Sequence, residues 1–490
     1  MFNRAFLMLV ALLATAGAAA GQDELKQMPA GGVSIFYPPA FEAQAAGVAE
    51  IARKSIAPSV DVHRQIAALL GDLDAVAGNV ADLLGAPEKQ DECAEMLGRY
   101  RLRSQALVRC FANIRIVRKA DAVATKGIDA GALQVRYDQE RDEFAMGLDL
   151  EGLDESRLKR SYFPVLVNSD GSIRSEDKLA EMAAGFLGTG EVLALVPVYD
   201  TVGYLLAEEL KLYQPFIRWF NEGVSGWVTR QVATRFDRTL GTMAQELLAV
   251  SETSRSVRDR VNLFAWPQKP FQNRREPYFD PVLEAAHTQY AVELITEALG
   301  RDGPRVLPKV MADLNYNTGA NTETICAAFQ KAAGVDLKSK LMEYVPADVR
   351  AGIDSGRAAE LIEQARKLAE DKQWAQAVDK LRAALQMTPE DVNARLNLAW
   401  LLREAGERTD SEIQVFLSAR LLTKGHYSFS LFEGSVEGNY VLGRLAILLG
   451  NLEYARKFLD TVLAIKPDHA DAKRAMDEIR ALEGALRGSG

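Results

Sequence analysis

Histidine is the commonest metal ligand among protein side chains, and the chain contains four histidines. They are His63, His287, His426 and His469, and each lies far from the others in the sequence. A zinc hydrolase of the H-E-x-x-H type needs two histidines four residues apart on one helix face, with a glutamate after the first. None of the four histidines is followed by Glu or by a second His at that spacing. The sequence therefore lacks this kind of metal site.

Motifs for nucleophilic, nucleotide and redox chemistry are missing as well. The chain contains no G-x-S-x-G elbow and no G-x-x-x-x-G-K-[ST] phosphate loop. Its three cysteines, Cys93, Cys110 and Cys326, form no C-x-x-C pair. If residues 93–110 form one helix, the sulfurs of Cys93 and Cys110 lie about 25 Å apart, too far to bond. We predict three buried, reduced thiols.

Two apolar segments in the middle of the chain resemble a known family. The first, Val198–Leu206, precedes by a short spacer a second one, Pro215–Gly223, which contains the residues W-F-N-E-G. Three further helical patterns follow, over Thr288–Leu299, Val306–Leu314 and Asn321–Val335. This order resembles the gluzincin metallopeptidases, especially the bacterial peptidase-MA-like domains that often precede tetratricopeptide repeats. In that family H-E-x-x-H lies on one helix, and a W-x-x-E-G segment on the next supplies the third zinc ligand.

The resemblance implies a metal site whose residues have changed. Asp200 and Tyr204 match the two histidines, Thr201 matches the general base, and Glu222 matches the third ligand. Only Glu222 keeps its type, since threonine is no carboxylate base and a tyrosine with a pKa of about 10 is a poor zinc ligand. We predict no zinc, no other cofactor and no catalytic residue. If the resemblance holds, we expect Asp200, Tyr204 and Glu222 to approach one another across two packed helices.

The last third of the chain repeats with a period of 34 residues. Pro389 and Pro467 align the windows 358–391 and 436–469, and a third window fits between them at 392–425. Small residues recur where two antiparallel helices would approach closely, and proline stands where the second helix ends. The segment 358–486 resembles the tetratricopeptide repeat. Asp468–Leu486 would be its capping helix, and a ten-residue insertion, His426–Ser435, separates the last two repeats.

In tetratricopeptide arrays the first helix of each repeat lines a concave groove. The matching positions here hold Ile362, Arg366, Leu396, Trp400, Arg403, Tyr440 and Arg444. Arginine can hold carboxylates through two hydrogen bonds, and Trp and Tyr supply rigid apolar anchors. We therefore predict that this groove binds a protein or peptide partner.

Composition and charge restrict the partners. The 490 residues include 58 Lys and Arg against 67 Asp and Glu, a net charge of −9. A nucleic-acid binder would need a basic face, so we predict no nucleic-acid partner. Residues 1–20 combine Arg4, the apolar run Phe6–Leu13 and a terminal Ala-Ala-Ala, the order of a secretory signal peptide. We expect cleavage after Ala20, export to the periplasm or the medium, and no membrane span in the remaining chain.

The remaining pattern predicts the fold class. Short apolar segments at Ile114–Val117, Leu133–Tyr137, Phe144–Leu150 and Phe163–Val167 predict one small sheet, and three X-Pro pairs predict a surface loop over Ala265–Asp280. We predict an α+β gluzincin-like domain over 33–240, a helical subdomain of the same fold over 241–350, and an all-α solenoid of tetratricopeptide repeats over 358–486.

These observations favour an exported, non-catalytic protein-binding protein, a pseudopeptidase fused to a repeat scaffold. An alternative is a metallopeptidase-like hydrolase with an atypical site, in which Asp200 and Glu222 hold a harder ion than zinc. A third reading is a structural assembly factor of the cell envelope, with the first domain as a spacer. Metal content separates the first two, and co-purifying partners separate the first from the third.

Overall fold

The structure, a computed structural model, describes residues 25–141, 143–149, 154–188, 190–210, 215–267, 280–314, 320–422, 436–448 and 450–488. The predicted signal peptide and the predicted insertion at His426–Ser435 lie outside these residues, as does most of the predicted loop after Pro267. Within the described residues the strands are Lys26–Ala30 (β1), Val33–Tyr37 (β2), Asn113–Arg118 (β3), Gly127–Ala130 (β4), Leu133–Asp138 (β5), Glu143–Leu148 (β6) and Phe163–Val167 (β7).

Helices make up most of the described chain. The first ten are Glu42–Ile51 (α1), Ala57–Leu69 (α2), Leu73–Leu84 (α3), Gln90–Phe111 (α4), Lys119–Ala124 (α5), Glu155–Arg160 (α6), Glu176–Leu187 (α7), Val196–Tyr204 (α8), Arg218–Phe236 (α9) and Arg238–Leu247 (α10). Then come Glu252–Ser256 (α11), Pro281–Leu299 (α12), Gly303–Leu314 (α13), Thr322–Ala333 (α14), Leu337–Glu343 (α15) and Ala347–Ser355 (α16). The last are Arg357–Glu370 (α17), Trp374–Met387 (α18), Val392–Glu404 (α19), Arg408–Leu422 (α20), Val436–Leu448 (α21), Leu452–Ile465 (α22) and Ala470–Gly488 (α23).

The chain divides into two compact units. The first comprises Met1–Gly78, Gln90–Pro197 and Ala233–Ala244, and the second comprises Asn79–Lys89, Val198–Val232 and Gln245–Gly490. These limits differ from the predicted boundaries at 240 and 350, which followed the order of motifs along the chain. Residues 198–206 and 215–223 therefore belong to the same unit as the C-terminal helices, and the sheets belong to the other.

The first unit contains two small sheets, so the prediction of one sheet is wrong. The mixed four-stranded sheet has the order β1-β2-β3-β7, with β1 antiparallel to β2 and the remaining pairs parallel. Strands β4, β5 and β6 form a separate antiparallel meander. Strands β1, β2 and β4 were not predicted. Gly31 and Gly32, both with positive φ, form the two-residue hairpin turn that joins β1 to β2.

One apolar core covers both sheets of the first unit. Ile35, Ile114 and Val165 point into it from the four-stranded sheet, and Val135 enters it from the meander. The ring of Phe111, at the end of α4, stacks on Phe163 at a centroid distance of 4.7 Å. Cys93 and Cys110 both lie on α4, and all three cysteines are buried and free, as predicted.

The C-terminal part of the second unit is a series of helix pairs. α17 packs with α18, α19 with α20 and α21 with α22, and α23 follows the last pair. Lys372 and Gly406 occupy the tight turns of the first two pairs with positive φ, one repeat length apart, and Gly450 does so in the third. A Cβ atom on Gly443 would lie 2.8 Å from Leu459 Cγ, so a glycine permits the close approach of α21 to α22. Among the described residues, no helix is both long enough and apolar enough to cross a membrane.

Candidate functional site

Helix α9 carries the W-x-x-E-G segment and is held by close packing. Trp219 and Phe220 are fully buried, and the Trp219 Nε1 lies 3.4 Å from the Thr322 hydroxyl. A Cβ atom on Gly223 would lie 2.5 Å from Ile295 Cγ1 of α12. Only glycine allows this approach, because such a contact lies far inside the van der Waals distance. The segment thus fixes the position of Glu222, the residue before this glycine.

Both carboxylate oxygens of Glu222 already have hydrogen-bond donors. The Tyr199 hydroxyl on α8 donates to Glu222 Oε2 at 2.5 Å, and Arg218 Nε donates to Glu222 Oε1 at 3.1 Å. The side chain of Arg218 is only 2% exposed and that of Glu222 12% exposed. Burial, together with the Glu222 charge, raises the pKa of Tyr199 well above its usual value, so this phenol stays a proton donor. The positive charge beside the Glu222 carboxylate is therefore the guanidinium of Arg218.

Arg218 holds a second carboxylate on its other side. Its Nη2 donates to Glu284 Oε2 at 2.9 Å, and its Nη1 donates to the Pro267 carbonyl at 3.2 Å. The guanidinium also lies over the Trp266 ring at 4.1 Å, and the Trp266 indole donates to Glu284 Oε1 at 3.2 Å. All three guanidinium nitrogens therefore have acceptors inside the protein. We call Tyr199, Arg218, Glu222, Trp266 and Glu284 the closed cluster.

A buried histidine supports the closed cluster. The His287 ring stacks on Trp266 at 5.0 Å, donates from Nδ1 to the Leu283 carbonyl at 2.7 Å and accepts at Nε2 from the Asn262 N–H at 3.2 Å. Burial, reinforced by the Arg218 charge, lowers the pKa of His287 to about 4. The ring is therefore neutral at physiological pH. Trp266 is buried, which corrects the prediction that this part of 265–280 is a surface loop.

The predicted site residues on α8 differ in exposure. Asp200 is exposed, Tyr204 is 40% exposed, and Thr201 is buried with no hydrogen-bond partner for its hydroxyl. The pair at i and i+4 that faces α9 is Tyr199 and Gly203. Tyr199 reaches Glu222, and a Cβ atom on Gly203 would lie 3.8 Å from Ser225 Oγ.

The residues around Glu222 do not fit a zinc ion. The Glu222 carboxylate already accepts hydrogen bonds from the Arg218 guanidinium and the Tyr199 phenol. Gly203, four residues after Tyr199 on the same face of α8, has no side chain that could bind a metal. Within the described ranges, no three His, Cys, Asp or Glu side chains are grouped so as to hold a metal. We derive no metal-dependent step from this site.

The predicted groove residues line two separate cavities of the second unit. The first, which we call the apolar cavity, measures about 240 Å³ and is lined by Ile362, Arg366 and Trp400, among others. The second, which we call the arginine cavity, measures about 600 Å³ and contains Arg403, Tyr440 and Arg444. Leu396 is fully buried and contributes to core packing, so its assignment to a ligand-binding surface is wrong.

Each predicted groove arginine has an acidic partner within the chain. Arg366 donates to Glu363 and Glu370, its neighbours on α17. Arg403 donates to Asp471 at 2.6 Å, and Arg444 pairs with Glu478, both partners lying on α23. The partners of Arg366 are visible in the sequence at helical spacing, whereas those on α23 come from a distant segment. No model of a protein family, no curated protein and no solved structure matches this chain.

Proposed function

We propose that this chain is an exported, non-catalytic protein-binding protein. In this proposal, a degenerate gluzincin-like site supplies a fixed framework, and tetratricopeptide-like helix pairs hold a segment of a partner. The observation that carries the binding function is the apolar cavity beside Trp400. The occupied carboxylate of Glu222 supports the lack of catalysis, because a ligand oxygen that accepts from Arg218 and Tyr199 is unavailable to a metal.

The apolar cavity has the size of an anchor site for a side chain. Ile362, Leu381, Leu401 and Trp400 supply apolar lining. Trp374 meets Trp400 edge to face at 5.6 Å, which limits the motion of the indole. A volume of about 240 Å³ is below the roughly 300 Å³ at which pockets for drug-sized molecules begin. One large apolar side chain of a partner is therefore the occupant that we favour.

A binding experiment with Trp400→Ala tests this function. Peptides selected by display against the purified chain should carry an apolar anchor residue. Trp400→Ala should weaken their binding by about 2 kcal/mol, roughly 30-fold, because a central aromatic anchor is lost. Tyr454→Ala is the matched control, since Tyr454 is an exposed aromatic residue on α22 outside both cavities. Equal losses in the two variants would contradict the proposal.

Two further measurements address export and catalysis. Expression in a bacterial host should yield a protein whose first residue, determined by mass spectrometry, is Gly21. The purified chain should contain less than one equivalent of zinc, and a chelator should leave its melting temperature unchanged, since a tightly bound metal stabilises the native state. One equivalent of zinc together with chelator-sensitive peptide cleavage would favour the hydrolase alternative instead.

A further inference from the structure

The arginine cavity is built by four helices of the second unit. Arg403 lies near the end of α19, Arg408 in the first turn of α20, Tyr440 and Arg444 on α21, and Arg474 on α23. Four arginines line the cavity together with three acidic residues, Glu412, Asp471 and Glu478. This lining has one positive charge in excess, whereas the chain as a whole has a net charge of −9.

Three of the four arginines converge on one carboxylate. Asp471 accepts from Arg403 Nη2 at 2.6 Å and from Arg408 Nη1 at 3.4 Å, and it also pairs with Arg474. Burial alone would raise the pKa of Asp471, but the hydrogen bond from Arg474 and the Arg403 charge outweigh it and lower the pKa. Asp471 is therefore ionised and holds the three guanidinium groups close together.

The three arginines differ in how many of their N–H donors remain accessible to a ligand. Arg403 is nearly buried, and its guanidinium lies over the Tyr440 ring at 4.1 Å, while that ring stacks on His469. The side chains of Arg408 and Arg474 are 66% and 72% exposed, and each reaches Asp471 through one nitrogen. A guanidinium carries five N–H donors in a planar fork. Most donors of Arg408 and Arg474 therefore remain available to a ligand.

The two cavities are consecutive along α19. Trp400 lines the apolar cavity and Arg403 the arginine cavity. Residues three apart share a helix face and are separated by roughly 5 Å along the axis. An extended peptide covers that distance with two residues, because a strand rises about 3.3 Å per residue.

We propose that the arginine cavity binds acidic residues of the same partner segment whose apolar side chain enters the apolar cavity. Arg408 and Arg474 contact the partner's carboxylates, and Asp471, which also accepts from Arg403, holds these two arginines in place. The partner is thus a peptide segment with an apolar residue and, nearby in its sequence, neighbouring Asp or Glu side chains. This inference rests on the proposed function and adds the chemical class of the partner.

Isothermal titration calorimetry of the full chain with two synthetic peptides tests whether the arginine cavity binds acidic residues. The probe is the acetylated and amidated peptide Glu-Glu-Gly-Leu-Gly-Glu-Glu, which presents acids on both sides of the leucine, and its control replaces every Glu with Gln. We expect the Gln peptide to bind about tenfold more weakly, because charge-assisted hydrogen bonds are lost. The difference should shrink when salt rises from about 50 to about 300 mM, since exposed charges are screened.

The chain provides a matched control for the arginines. Arg474 pairs with Asp471 three residues before it on α23, and Arg480 pairs in the same way with Asp477 on the same helix, outside the cavity. Arg474→Ala and Arg408→Ala should each weaken binding of the Glu peptide about fivefold, whereas Arg480→Ala should leave it within about twofold. Thermal melts of all three variants check that they are folded.

Three outcomes would overturn the inference. The first is equal affinity for the Glu and Gln peptides, or no binding of the Glu peptide up to about 1 mM. The second is that Arg474→Ala and Arg480→Ala change the affinity for the Glu peptide equally. The third is succinate binding as tightly as the peptide, which would make the ligand a free dicarboxylate. If both peptides bind equally and Trp400→Ala weakens both, the proposed function stands and only the acidic class is wrong.

Discussion

The closed cluster and the arginine cavity are built from the same chemical groups and differ in exposure. In the closed cluster Arg218 is 2% exposed, and its three nitrogens donate to two carboxylates and one carbonyl. In the arginine cavity Arg474 is 72% exposed and reaches Asp471 through one nitrogen. The first arrangement is closed to a ligand because Arg218 is buried, whereas a ligand can reach the exposed donors of Arg474. An arginine among carboxylates is therefore accessible to a ligand only where water reaches it.

The largest effect on stability is expected from Arg218→Met. The substitution removes the cation between Glu222 and Glu284, whose side chains are only 12% and 18% exposed. Removing one partner of a buried ion pair leaves an uncompensated charge, so the free energy of unfolding should fall by about 3–5 kcal/mol. Urea unfolding measures it, with the exposed Arg480→Met as control. A loss below about 1 kcal/mol would show that the closed cluster is not held by Arg218.

A pH dependence of similar size is expected from His287. Its pKa is about 4 in the folded protein and about 6.5 in the unfolded chain. Well above pH 6.5 the ring is neutral in both states, and its effect on stability no longer changes with pH. As the pH falls toward 4, His287 binds a proton in the unfolded state but not yet in the folded state. The free energy of unfolding therefore falls by about 3 kcal/mol.

Urea unfolding at several pH values between about 7 and about 4 measures this dependence. His287→Gln removes the titrating group, so the variant's unfolding free energy should fall less steeply over the same range. Parallel curves for the two proteins would mean that the drop has another source, such as carboxylates.

An intermediate effect is expected from Arg403→Ala. Arg403 is nearly buried, and the variant loses both the hydrogen bond to Asp471 and the contact with the Tyr440 ring. We expect a loss of about 1–2 kcal/mol in the free energy of unfolding. A differential scan of the variant beside Arg366→Ala, whose two partners are exposed, measures the difference. If Arg366→Ala lowers the free energy of unfolding more than Arg403→Ala does, the exposure of an arginine does not determine its contribution to stability.

The smallest effect on stability is expected from Arg474→Ala. Its side chain is mostly in water, so its pair with Asp471 should contribute less than about 0.5 kcal/mol to stability. The same variant is expected to weaken peptide binding about fivefold, as argued above from its free donors. A loss of stability above about 1.5 kcal/mol would place Arg474 with Arg218 as a structural residue and remove the contrast between the two regions.

The sequence predicted part of the local structure, although it did not reveal β1, β2 and β4. Apolar alternation located β3, β5, β6 and β7 to within one or two residues, and the helical patterns at Thr288–Leu299, Val306–Leu314 and Asn321–Val335 fall on α12, α13 and α14. It failed on how the strands pair. Alternation gives the buried face of a strand but not its neighbour, which is set by contacts between residues far apart in the sequence. The structure therefore has two sheets where the sequence predicted one.

What the sequence by itself determined is the set of available groups. The lack of an H-E-x-x-H pair, the helical repeats and the acidic net charge are all properties of residue type and spacing. The tertiary structure decided which groups meet and how much water surrounds them. It turned Tyr199 toward Glu222, buried Trp266 against Arg218, and brought Asp471 to arginines more than sixty residues away. The physical reason is that charge state, pairing and exposure depend on the dielectric and donors around a group, and distant parts of the chain supply both.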